Sequence, residues 1–381
     1  MASRRGSVAM ALAAAALAAL IVVGCSSGDQ TVEGPVTVYV SLPLTGPRAA
    51  DGNDAADGAR LALEQAGGLA RGLEVNAEIL DDSSGAAAWD PVLVGRNARA
   101  ATQDSTTAAY IGELDSEPTR ASAPITNEAG IVQISPGAGG ADLTGTAAGY
   151  PDAPNRYRPS GDATFARVVP ADDVVARAAV SLAAEDALFA RIVSDGSLYG
   201  DLTAAEMTRA ADSAGLGLRP TGKVDAVLYA GGPDGVGEAA KAAAESGARI
   251  VVATDAVGPA AVELPDAGDT FVVAAALDRR NLPDPDFDGA FRSEFGRDPG
   301  PYAAYGYEAM QLALAGIASA EGEAEFRPAI RDAVIGASRE GADSVLGPFT
   351  IDEEGDADLC AVQRYRVTGS SVDPAGASCA E

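Results

Sequence analysis

Histidine is absent from all 381 residues. Its absence removes Ser-His-Asp and Cys-His nucleophilic catalysis, histidine metal sites and the usual near-neutral proton shuttle. Lysine is almost absent as well, because Lys223 and Lys241 are the only two. Positive charge of any kind is scarce: 27 basic residues face 55 acidic ones, for a net charge of -28. So acidic a chain repels nucleic acid and anionic membrane surfaces, and neither is an expected partner. No Walker loop occurs, and the glycines of Gly232-Pro-Asp-Gly-Val-Gly237 stand in the wrong order for a dinucleotide fingerprint. Asp352 to Asp358 lacks EF-hand spacing and reads as a solvated turn. Neither a cofactor nor a metal is expected, and an enzyme is the disfavoured class.

Cysteine is rare but informatively placed, at Cys25, Cys360 and Cys379. Arg4 and Arg5 precede an uncharged, alanine-rich run from Val8 to Val23, which closes at Val22-Val23-Gly24-Cys25. A basic start, a short apolar core and small residues before a cut site describe an export signal. Val-Val-Gly-Cys resembles the bacterial lipobox, which implies a signal at 1–24, lipid on Cys25 and a polar tether over 25–34. An ordinary secretory signal or a single spanning anchor is the alternative. With Cys25 lipidated, Cys360 and Cys379 remain as one pair in an oxidising compartment, and a disulfide stapling the tail is expected. Two unpaired thiols are the other reading.

Downstream, hydrophobic periodicity alternates between strand and helix. Strand Val36–Ser41 leads to helix Ala55–Ala66, and strand Leu73–Ile79 to helix Pro91–Ala101. Strand Thr107–Gly112, helix Pro118–Glu128 and strand Ile131–Ile134 continue the series. After a Gly/Pro-rich excursion from Gly137 to Asp162, a second series begins at helix Asp172–Ala184. It runs through strands near 188–194, 226–229, 250–253 and 270–275. Three late helices follow, and then an expected hairpin of Gly347–Ile351 with Val362–Val367. Two such series predict an α/β chain with two parallel-sheet lobes.

Ser41-Leu-Pro-Leu-Thr-Gly-Pro47, Gly58-Ala-Arg-Leu-Ala-Leu-Glu64, Asp81-Asp82 and Tyr110-Ile-Gly-Glu-Leu114 open an ordered set of loose motifs. Gln133-Ile-Ser-Pro-Gly-Ala138, Phe165-Ala-Arg-Val-Val-Pro170, Tyr199-Gly200, Gly300-Pro-Tyr-Ala-Ala-Tyr305 and Gly347-Pro-Phe349 complete it. The set resembles the type I periplasmic solute-binding proteins, the Leu/Ile/Val-binding group that feeds ABC importers. That resemblance implies two flavodoxin-like lobes joined by three crossings and closing over a ligand. It places 35–167 and 281–346 in the N-terminal lobe, and 168–280 and 347–381 in the C-terminal lobe. It also implies a membrane permease as partner and a monomeric receptor.

Ligands of doubly wound sheets sit beyond the carboxyl ends of the strands. Ser116, just before a helix, suits a carboxylate there, or serves simply as a helix cap. Gly137 and Gly139 lie in a glycine-rich loop that lets backbone approach a ligand, although turn geometry alone also explains them. The resemblance places a threonine at the position of Gly139, so that hydroxyl is missing here. It also implies an aromatic ligand contact at Tyr199, a partner for the ligand ammonium at Asp255 and a side-chain pocket wall at Tyr302. Asp51 stands where relatives carry an aromatic, and positions near Ser84 and Asp115 lack the relatives' first-lobe cysteines. Asp51, Asp115 and Asp255 together suggest a cleft more acidic than an aliphatic amino acid requires. The expected role is therefore lipid-anchored, extracytoplasmic capture of a branched-chain or related amino acid. An amide or amine ligand and a ligand-sensing subunit are the alternatives.

Overall fold

The computed structural model describes residues 34–147, 150–232, 235–254, 269–320, 322–323, 326–339, 344–359, 361–368 and 371–378. Cys25, Cys360, Cys379 and Asp255 lie outside the described residues. The first sheet contains β1 (Val36–Leu42), β2 (Leu69–Ala70), β3 (Leu73–Asp81), β4 (Thr107–Ile111), β5 (Val132–Ser135) and β6 (Phe165–Arg167). Its spatial order is β2-β3-β1-β4-β5-β6, parallel throughout except for the short β2 edge. Every residue of β4 is buried, as a central parallel strand covered on both faces should be.

The second sheet holds β7 (Phe189–Ser194), β8 (Gly217–Leu218), β9 (Ala226–Ala230), β10 (Arg249–Ala253) and β11 (Thr270–Ala274). These pair in the parallel order β8-β7-β9-β10-β11. Discounting β2, both sheets therefore have the 2-1-3-4-5 order of flavodoxin-like folds. The short strands β12 (Ser338–Arg339) and β13 (Phe349–Thr350) pair with each other, while β14 (Val362–Thr368) and β15 (Ser371–Ser378) extend the second sheet in antiparallel fashion.

Helices cover the sheets as the sequence periods predict. On the first sheet, α1 (Ala49–Gln65), α2 (Pro91–Gln103) and α3 (Ser116–Glu128) alternate with the strands. Asp90 caps α2 by accepting from the N–H groups of Val92 and Leu93, with Pro91 at the first helical position. The second sheet carries α4 (Asp172–Ala184), α5 (Leu198–Ala214) and α6 (Val236–Ser246). The chain then returns to the first sheet with α7 (Phe287–Phe295), α8 (Ala303–Ser319) and α9 (Phe326–Val334). Contact between α1 and α8 is close enough to require glycine. A Cβ on Gly58 would stand 1.9 Å from the Ala303 carbonyl oxygen, and one on Gly306 2.0 Å from that of Ala55.

The chain passes between the sheets three times, after β6, after β11 and before β14. The last passage differs from expectation. Gly347–Ile351 and Val362–Val367 do not form a hairpin; β13 pairs with β12, and β14 lies between β11 and β15. Burial explains the separation. Phe349, Ile351, Leu359 and Ala361 pack in the first core, whereas Val362 enters a core of the second sheet. A tight turn remains between Ile351 and Ala357, where Asp352 Oδ1 accepts from the N–H groups of Glu354, Gly355 and Asp356. Among the described residues no helix is long and apolar enough to cross a membrane, and no acidic or cysteine cluster is suited to a metal ion.

Candidate functional site

A cavity of about 250 Å³ lies where loops from the carboxyl ends of both sheets meet. One wall comes from the first sheet. Arg48 follows β1, Trp89 follows β3, Asp115 and Ser116 follow β4, and Gly137 and Gly139 follow β5. The opposite wall is Ser197 after β7, Tyr199 in the first turn of α5, Thr254 after β10 and Ala275 after β11. Val169, Asp172 and Val175, on the passage from β6 into α4, line its side.

The loop after β4 is held from beneath. Gln133 Nε2 donates to the Gly112 carbonyl at 2.8 Å, and Ser135 Oγ donates to that of Glu113 at 2.7 Å. The fixed loop delivers Ser116 to the N-terminus of α3, where the helix dipole and first-turn N–H groups favour an anion. Ser116 Oγ accepts from the Gly140 N–H at 2.8 Å, so its own hydrogen remains to be donated. Ser116 thus tethers the glycine loop; it is the first residue of α3, Asp115 holds the N-cap position, and the Ser116 side chain does not cap the helix as expected.

Asp172 occupies the space over Gly139. Its backbone N–H donates to the Gly139 carbonyl at 2.7 Å, and a Cβ on Gly139 would lie 2.2 Å from Asp172 Oδ1. The missing threonine thereby acquires a physical reason, since a side chain at 139 would displace this carboxylate from its present position. Arg120 also lines the cavity, but its charge is matched. It grips Asp142 through Nε at 2.8 Å and Nη2 at 2.6 Å, and Tyr157 donates to the same carboxylate at 2.6 Å. Burial opposes ionisation of Asp142, yet these bonds outweigh it and hold the carboxyl below its ordinary value.

Arg48 forms an ion pair with Asp51 at 2.9 Å and with Asp115 at 3.1 Å, and it donates to the Tyr302 hydroxyl at 3.3 Å. Behind the β4 loop, Tyr110 donates to Glu113 Oε1 at 2.5 Å, and Asp82 lies against Glu113. Burial pushes both carboxyls of this pair up, and for Asp82 the neighbouring Glu113 adds to it.

Ser116, Gly137, Gly139, Tyr199 and Tyr302 all line the one cavity. Asp51 stands one side chain behind it, through Arg48. Asp255 is outside the described residues, although the preceding Thr254 reaches the wall. Sequence reasoning did not single out Arg48, Trp89, Arg120, Asp172 or Ser197. The rule that ligands meet the loops beyond strand ends marks Arg48 and Ser197, and extending it to the loop after β3 marks Trp89. Arg120 and Asp172 sit on helices and give no such signal.

Two matched sheets of flavodoxin order, joined three times and enclosing a cavity at their carboxyl edges, define one architecture. The chain has the type I periplasmic binding protein fold. No family model matches the sequence, and no curated protein does either. Solved structures of this fold do. A leucine binding protein, LivK, from Thermotoga maritima is 21% identical, with 90% of this chain and 98% of that one covered at a TM-score of 0.70. An ABC transporter substrate-binding protein from Desulfitobacterium hafniense, in complex with Leu, is 22% identical over 89% and 99% at 0.67. A solute binding protein from R. palustris, in complex with benzoate, is 19% identical over 91% and 97% at 0.68. In this type I periplasmic binding protein fold, the cavity lies between the two sheets.

Proposed function

We propose that this protein is a solute-binding receptor of an ABC importer, capturing a small amino acid between its lobes and performing no chemistry on it. The observation that carries this reading is the pairing of opposite charge preferences a short distance apart. Ser116, the α3 N-terminus and the glycine loop suit a carboxylate, and Asp172 over Gly139 suits an ammonium. An α-amino acid carries both groups two bonds apart. Tyr199 and Tyr302 would close on the remainder of the ligand from opposite walls. Contact with both walls gives the ligand differential affinity for a closed state, which is what a permease would read.

The lobes in this proposal follow the packing of the cores. Residues 35–169 with 276–361 make the first lobe, and 170–275 with 362–381 the second. The protein is proposed to be exported by its first 24 residues, tethered outside the cell membrane by lipid on Cys25, and monomeric. Cys360 and Cys379 are proposed to form a disulfide. Thermal unfolding of the full-length protein in detergent, with and without L-amino acids, tests the central claim. A binding amino acid at 100-fold its dissociation constant should add about 2.7 kcal/mol of stability. No shift with any amino acid would remove the proposal.

A further inference from the structure

We propose that the cluster of Arg48, Asp51 and Asp115 makes the cleft prefer an amino acid whose side chain ends in a hydrogen-bond donor, an amide or a cation. Branched aliphatic and acidic side chains are disfavoured. The inference rests on the amino-acid-binding reading above and names the class of amino acid.

The wall formed by Arg48, Asp115 and Tyr302 is polar at its centre. Arg48 exposes only 16% of its side chain, and Asp115 23%. An apolar side chain seated against them would strip the remaining water from ionised groups and return no hydrogen bond. Leucine or valine therefore gains from burial against the Tyr302 ring and loses at the adjoining guanidinium and carboxylate.

The sign of the cluster decides between the polar classes. One guanidinium is held by two carboxylates, at 2.9 and 3.1 Å, and by a tyrosine hydroxyl. Its charge is more than matched, so an incoming carboxylate meets net negative charge. The other cavity-lining arginine, Arg120, is bound in bidentate fashion by Asp142. Asp172 and Glu117 on the wall add further negative charge. Two guanidiniums thus stand among five carboxylates. A donor fits this field: a carboxylate offers about four lone-pair positions, and Asp115 can accept from a ligand while keeping Arg48.

The test is a binding titration of the full-length protein in detergent with L-leucine, L-glutamate, L-glutamine, L-arginine and benzoate, repeated for Asp115→Asn and Asp51→Asn. We expect L-glutamine or L-arginine to bind at least tenfold more tightly than L-leucine and L-glutamate. Either variant should shrink any arginine-over-glutamate preference by about tenfold, and both isosteric changes preserve the fold. Tightest binding of leucine or glutamate, or equal binding of all four amino acids, would overturn the inference and leave the amino-acid receptor standing. Binding of benzoate alone would overturn both, while retaining a solute-binding role. Silence from all five would remove the receptor reading itself.

Discussion

Arg167 and Asp356, 189 positions apart, meet through Nε and Oδ1 at 2.7 Å. Arg167 is fully buried, and its Nη1 donates to the carbonyls of Ala138 and Gly140 at 3.0 and 3.1 Å, while Nη2 bonds Thr144. One side chain therefore ties the cavity-lining glycine loop to the first crossing and to the turn before the third. Arg167→Met should take the donor from Asp356 Oδ1 and the Ala138 carbonyl, while Thr144 still bonds Asp356 Oδ2 and the Leu143 N–H still reaches the Gly140 carbonyl. A buried acceptor left unpaired costs about 1–3 kcal/mol. Chemical denaturation should show that loss, and ligand affinity should fall with it. Asp356→Asn, at a partly exposed site, should cost much less.

Gly139 and Asp172 supply a second test. Gly139→Thr puts its Cβ where the Asp172 carboxylate lies, so that side chain must swing away. Stability should change little, but the carboxylate leaves its place over residue 139, and amino-acid affinity should fall at least tenfold. Asp172→Asn keeps the shape but removes the charge. It should weaken an ammonium-bearing ligand by about 1.5–3 kcal/mol, the worth of a hydrogen bond to a charged group. Calorimetric titration of both variants checks this, and unchanged affinity in Asp172→Asn would retire the proposed ammonium contact.

The buried pair of Asp82 and Glu113 predicts a pH dependence. Burial first, and for Asp82 the neighbouring carboxyl next, pushes both above their unfolded values of about 4. The folded protein then keeps protons that the unfolded chain releases, and stability falls as pH rises above about 4 through the raised values. The contribution is fully present below pH 4 and lost on the alkaline side. Asp82→Asn should flatten the fall of Tm with pH above neutrality. A slope identical to that of the wild type would show that the pair does not hold a proton.

The proposed lipid attachment makes a simple prediction for Cys25. In cells, Cys25→Ser should move the protein from the membrane fraction to the soluble or secreted fraction. Retention in membranes would count for a spanning anchor instead.

The order of strands and helices was legible because the signals for them are local. Helix Asp172–Ala184 was legible to the residue, and most other elements to within a few positions at either end. The terminal hairpin was misread because alternation in Gly347–Ile351 and Val362–Val367 shows only that each run has a buried face. It does not show that the two faces belong to different cores. Residues in and behind the cavity wall followed the same division. Ser116, Gly137 and Gly139 were visible beside strand ends. Asp172 and Arg167 were not, since a carboxylate opening a helix and an arginine ending a strand look locally like surface residues.

By itself, the sequence determined the acidity of the molecule, the chemistry it cannot perform without histidine, and the succession of β/α units. All three depend on composition or on neighbours within a few residues. Only the tertiary structure decided which charges meet. Arg48 reaches Tyr302 across 254 positions, and Asp172 fills the space that Gly139 leaves open. Such pairings depend on where two sheets and their crossings place distant loops, and no periodicity along the chain records that.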